Sequence, residues 1–246
     1  MNIAVSTLVR IETRLFLRER AALIWGLAFP VVLLIILGAL GGTKPDKDLD
    51  GMTLAATYVP IVIAFSMAMF AVNVLPIVLS TYRERGVLRR MSTTPVPPTW
   101  LLSAQVVINL AVAAATTLLL LIIGRVAFDV ALPRQGGGFL ISLMLGGAGL
   151  FAIGLTIAAR APTGKVANAA GAITFFPLMF FAGLWVPRAV MPDVLRHISD
   201  YTPLGAAVQA LQDSARGHWP NGPYLAVLAA YALVFGFAAI RWFRWE

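Results

Sequence analysis

The sequence predicts an all-α integral membrane protein: six transmembrane helices, an N-terminal interfacial helix, and two short outer re-entrant helices between spans five and six. Two observations carry that class. The 246 residues are 59% apolar and 12% charged, whereas soluble domains carry roughly 25% charged residues. Six stretches also lack any Asp, Glu, Lys or Arg: Ala21 to Thr43, Gly51 to Tyr82, Met91 to Gly124, Gln135 to Ala159, Val166 to Pro187 and Gly217 to Ile240. Each reaches the ~20 residues needed to cross hydrocarbon as a helix, the conformation that satisfies its own backbone polar groups.

In chain order, residues 7–20 place Arg10, Arg14 and Arg18 four apart, beside Leu8, Ile11 and Leu15. That pattern suits a helix lying in the membrane interface, although Glu12 and Glu19 interrupt its apolar face. Spans follow at about 21–43, 57–80, 100–123, 135–159, 166–187 and 220–240; the second and third are trimmed from runs longer than one crossing. Trp25, Tyr58, Trp100, Trp185, Trp219 and Tyr224 fall near span ends, where amphipathic rings settle. From Pro187 to Gly217 the chain returns to short elements. Thr202 followed by Pro203 reads as an N-cap with proline at the first helical position, and Gly217 stands where a helix-terminating glycine would. A preceding short helix is expected over about Pro192 to Ser199.

Orientation follows from the alternation of Lys and Arg between the two sides. Arg10, Arg14, Arg18, Arg20, Arg83, Arg85, Arg89, Arg90, Arg160, Lys165, Arg241 and Arg244 share one side; Lys44, Lys47, Arg125, Arg134, Arg188, Arg196 and Arg216 share the other. Both termini are therefore expected in the cytoplasm, in a multi-pass protein of the inner (plasma) membrane. The net charge of +8 lies at the ends of apolar runs, which argues for membrane topology and against nucleic acid. No cysteine is present, so disulfides and thiol chemistry are excluded.

The chain carries no recognisable energy source. A phosphate-binding loop needs Gly-x-x-x-x-Gly-Lys-Ser/Thr; Gly164-Lys165 is followed by Val166 and preceded by Ala159 at the first glycine position. Ion-coupled transporters place acids or histidines inside the membrane, whereas these spans hold neutral polar residues such as Asn73, Gln105, Asn109 and Asn168. His197 and His218 have no metal-site spacing.

What remains distinctive is the loop after the second span, Tyr82-Arg83-Glu84-Arg85-Gly86-Val87-Leu88-Arg89-Arg90-Met91-Ser92-Thr93-Thr94-Pro95-Val96. It resembles the loop of type-2 ABC exporter permeases, in the daunorubicin-resistance-like group, where such a sequence forms the coupling helix that docks on the ATPase. Pro177, Phe181-Ala182-Gly183-Leu184-Trp185-Val186-Pro187, Met191-Pro192 and Thr202-Pro203-Leu204 resemble the end of the fifth span and the outer helices of the same family. The resemblance implies a coupling helix at about 82–92, with Arg83, Glu84, Arg85, Gly86, Leu88, Arg89, Arg90, Thr94 and Pro95 as coupling residues. It also implies two ABC ATP-binding subunits and a second permease chain, identical or paralogous. No cofactor is expected on this chain; ATP and Mg belong to the partner ATPase. The expected function is efflux of an amphipathic drug or lipid, as in multidrug resistance. Asn73, Phe175, Phe176, Met179 and Phe180 are candidate substrate-path residues, since Met and Phe give an adaptable apolar surface, although packing against lipid or core explains the aromatic residues equally. The alternatives are a non-transporting assembly or anchoring subunit, and a secondary transporter.

Overall fold

The computed structural model describes residues 10, 12–14, 18, 24–41, 49, 51–87, 90 and 98–242, and the regular elements among them are helices. Six are long and apolar enough to cross a bilayer: α1 (Ile24–Gly41), α2 (Leu54–Glu84), α3 (Pro98–Phe128), α4 (Gly136–Arg160), α5 (Gly164–Phe181) and α8 (Gly222–Trp242). Between α5 and α8 lie α6 (Asp193–Tyr201) and α7 (Pro203–Arg216). Of the expected interfacial helix, Arg10, Glu12, Thr13, Arg14 and Arg18 are described and helical; the remainder of 7–20 lies outside the described residues.

The helix ends have local causes. α3 runs past its expected limit to Phe128, where Arg125 pairs with Asp129 one turn on at 2.7 Å. Asp129 then takes φ 52, a left-handed turn that aspartate tolerates. α5 stops at Phe181, short of the expected 187, because Gly183 at φ +88 turns the chain back, and the Leu184 N–H donates to Met179 O at 3.2 Å. α7 has the terminators read from its sequence. The Thr202 hydroxyl accepts from Gly205 N at 3.1 Å, Pro203 opens the helix and Gly217 closes it at φ 95.

α2 is the axis of the bundle: 78% of its apolar window is buried, against 11% for α8. Its backbone explains how neighbours come so close. Pro76 lacks an N–H and its ring would collide with the carbonyl four residues back. The helix ahead of it widens into a π segment, Met69–Val74. The carbonyls of Ala71 and Val72 meet glycines of α4 and α5. A Cβ on Gly154 would sit 1.7 Å from Ala71 O, and one on Gly171 2.7 Å from Val72 O. Small residues let membrane helices approach in this way, since apolar burial alone does not favour helix over lipid. α4 uses the same device elsewhere, with Gly146 against Ala207 of α7 and Gly149 against the Leu228 carbonyl of α8.

Two ends of the bundle can be told apart. One, here the basic end, carries Arg83, Arg85, Arg90, Arg160, Lys165 and Arg241. The other is covered by α6 and α7. There Ser199 Oγ donates to Phe181 O at 2.6 Å, Arg188 pairs with Asp200, and Gln212 Nε2 donates to Thr57 O of α2 at 3.4 Å.

Candidate functional site

The candidate coupling segment begins as the last turn of α2. The Arg85 N–H still donates to Thr81 O at 3.0 Å, and the Gly86 N–H to Arg83 O at 2.9 Å. Gly86 then adopts φ +65 with nothing within 4 Å of its absent Cβ. Conformation, not crowding, is what calls for glycine there. A new turn opens beyond it, with the Arg90 N–H donating to Gly86 O at 3.1 Å and an Arg90 guanidinium nitrogen reaching Arg85 O at 3.1 Å. The helix expected over 82–92 is thus interrupted at 85–86: residues 82–84 finish α2, and Arg85 and Arg90 are exposed on either side of Gly86. Leu88, Arg89, Thr94 and Pro95 lie outside the described residues.

Arg83 and Glu84 reach instead to the ends of neighbouring helices. Arg83 Nη1 donates to Ala158 O at 2.8 Å and to Ala161 O at 3.1 Å, carbonyls at the end of α4. Glu84 Oε2 accepts from the Gly164 N–H, the first of α5, at 3.0 Å. Arg83 is half-buried by these contacts, whereas Glu84 stays exposed beside Arg85 and Arg90; of these exposed charges, Glu84 is bonded to a neighbouring helix end and Arg90 to the carbonyl of Arg85.

A third group was not anticipated as part of this site. Glu12 is buried, at 6% exposure. Its Oε2 accepts from the Tyr82 hydroxyl at 2.8 Å and from Gln105 Nε2. Burial pushes its carboxyl above the ordinary value, and the Tyr82 and Gln105 hydrogen bonds pull partly back. The N-terminal segment is thereby tied to the ends of α2 and α3. The signal in the sequence was the acid that interrupts an otherwise apolar face.

The substrate-path candidates do not share one surface. Phe175 is buried with its ring edge-on to Phe65 at 5.4 Å, and Met179 is fully buried. Phe176 is 59% exposed, and Phe180, half-buried, packs edge-on to Phe181 at 5.4 Å. Asn73 sits in the π segment beside Gly171, and its Nδ2 has no acceptor among the described residues. An apolar cavity of about 430 Å³ lies against a different face of α5, walled by Ile173, Pro177 and Phe181 with Ile153, Tyr231 and Phe235; none of the five candidates lines it.

Six apolar helices, a basic segment hung from the central one and a cap of two short helices form a membrane protein with no soluble domain among the described residues. Residues 3–215 match the model of the ABC-2 type transporter family. The chain belongs to that family. It is also similar to "Putative transport permease YvfS" of Bacillus subtilis (strain 168), with 24% identity over 228 residues, covering 91% of this chain and 90% of the relative. The ABC-2 chain is thus a multi-pass membrane permease subunit, and its family implies an ABC transporter with an ATPase partner.

Proposed function

We propose that this permease subunit serves an ATP-driven exporter that moves an amphipathic drug or lipid-like substrate out of the cytoplasm. Two copies, or one with a paralogue, pair in the membrane, and each docks one ATP-binding subunit that holds ATP and Mg. The basic end faces the cytoplasm with both termini, in keeping with the excess of Lys and Arg there. α6 and α7 lie at the outer edge of the bilayer as re-entrant elements.

The observation that carries this reading is the placement of Arg85 and Arg90. They are exposed on either side of a glycine break, at the end of the most buried helix. A cationic pair there can meet an acidic cleft on a soluble partner, and a displacement of that turn enters the bundle at its axis. Arg85→Glu should abolish co-purification of the ATPase, whereas Arg10→Glu, an equal change of charge on the N-terminal segment, should leave it near wild type. Equal effects from both would reduce the segment to a topological anchor. The direction of transport rests on the family resemblance; uptake of a fluorescent amphiphile into inside-out vesicles on ATP addition tests it.

A further inference from the structure

Arg83 and Glu84 are adjacent in sequence, opposite in charge, and each is aimed at a helix end of the matching polarity. The carbonyl end of a helix carries partial negative charge and its amide end partial positive charge. Arg83 takes the carbonyl end of α4 through Ala158 and Ala161 at 2.8 and 3.1 Å, and Glu84 takes the amide end of α5 through Gly164 at 3.0 Å. The turn between α4 and α5, residues 161–163, is held at both its ends by one dipeptide of α2. Contact there is close: a Cβ on Gly164 would lie 2.5 Å from Thr81 Oγ1. From Leu75, past its π segment, α2 is α-helical to this point, and the left-handed break at Gly86 comes only afterwards.

We propose that Arg83 and Glu84 are a clasp: positioning residues that carry a displacement of the α2 terminus to the α4–α5 turn and do not themselves touch the ATPase. The proposal rests on the reading of the chain as an ATPase-driven permease and divides the coupling motif in two. Arg85 and Arg90, on either side of the glycine, meet the partner; Arg83 and Glu84, in the last turn of α2, distribute the movement among three helices. Both side chains bond to backbone at helix termini, so α2 cannot shift at this end without moving α4 and α5 or breaking the bonds.

The test uses the full chain with its ATPase in proteoliposomes. Lys165, exposed at the start of α5, is replaced by the chain's only cysteine, and its labelling by an impermeant maleimide is timed with and without ATP plus vanadate. Trapping should change the labelling rate about fivefold or more, the lower range of coupling between sites. In Arg83→Ala and Glu84→Ala that change should vanish while ATPase co-purification stays at the wild-type level. Arg83→Lys and Glu84→Gln, which keep a donor and an acceptor, should recover part of it. Glu84 is exposed, so its alanine variant decides the matter if Arg83→Ala does not fold. Persistence of the nucleotide effect in Glu84→Ala overturns the clasp. So does loss of the ATPase from it to the extent seen with Arg85→Glu, or a wild-type complex that shows no effect with its ATPase bound. A wild-type chain that retains no ATPase at all takes down the clasp and the proposed function together.

Discussion

α2 and α8 are alike as helices apolar enough to cross a bilayer, yet one is the axis of the bundle and the other its margin. Hydropathy reports that a helix can cross; it does not report where it stands among its neighbours. The difference lies in what faces each helix. α2 offers backbone carbonyls opened by the π segment, and its neighbours answer with Gly154 and Gly171. α8 packs chiefly on α4, through Gly149 and through Thr156, whose hydroxyl lies 2.9 Å from both Ala152 O and Phe235 O. Its remaining faces carry exposed Leu233, Val234, Phe237 and Ile240.

Substitutions can break this contrast, and the largest effect is expected at the α2–α4 contact. Gly154→Ala drives a carbon to 1.7 Å from the Ala71 carbonyl oxygen, a backbone atom that cannot rotate aside. Overpacking of this kind costs about 1–3 kcal/mol or more. The midpoint of thermal unfolding in detergent should fall clearly. Gly236→Ala in α8, where a Cβ meets nothing within 4 Å, should leave it unchanged or slightly raised, as alanine is the better helix former. Equal losses would show that α8 is as constrained as α2.

Next in size is Glu12, which ties the N-terminal segment to the end of α2. Glu12→Ala removes the acceptor shared by Tyr82 and Gln105, a loss of about 1–3 kcal/mol for buried groups. The carboxyl also imposes a pH dependence whose sign is fixed. Its value in the fold is raised above 4.5, so the folded state binds the proton more tightly than the unfolded one. Its contribution is greatest below 4.5 and declines as pH rises through the folded value. Glu12→Gln keeps an acceptor without the charge. The melting temperature of wild type relative to Glu12→Gln should therefore drop as pH increases above 4.5, and a flat difference would place the carboxyl in water.

Smaller effects belong to the margin. Thr156→Val removes a hydroxyl between α4 and α8, where interhelical hydrogen bonds in membranes average about 0.6 kcal/mol; chemical unfolding in detergent should resolve it. Arg160→Ala deletes a guanidinium 4.4 Å above the Trp242 ring. Such an exposed pair contributes about 0.5–1 kcal/mol. A double-mutant cycle with Trp242→Leu isolates it, and a coupling as large as the Gly154 effect would invert the ranking of the two helices.

The crossing helices were legible because each apolar run is a local property, and so were the caps of α7, where Thr202, Pro203 and Gly217 act within their own turn. The limits of α2 were not. Ending it near Ser80 was natural with Arg83 and Glu84 just ahead, but those charges find helix ends 75 to 80 residues away in sequence, and the helix continues to Glu84. Glu12 was legible as an anomaly and opaque as a contact, for its partners Tyr82 and Gln105 lie 70 and 93 residues on. Gly86 stood out in the motif, although its work as a left-handed helix end appears only with the backbone. In α5 the run of Phe and Met suggested one surface, whereas neighbouring residues on a helix point about 100° apart. That geometry sends Phe175 into the core and Phe176 outward.

The wide turn at Met69–Val74 also resets the phase of everything beyond it. A π segment accommodates one residue more than an α-helix would over the same turn, so side chains after it are rotated by about 100° from where an uninterrupted count would put them. A periodicity laid down from Thr57 therefore misassigns the faces of Tyr82, Arg83 and Glu84. Closing this turn to ordinary α-helix with every residue kept would leave composition, hydropathy and every charge in place, yet swing the last turn of α2 round its own axis. Glu12, α4 and α5 would then each meet the wrong side chain, which makes this segment an angular offset on which the whole basic end depends.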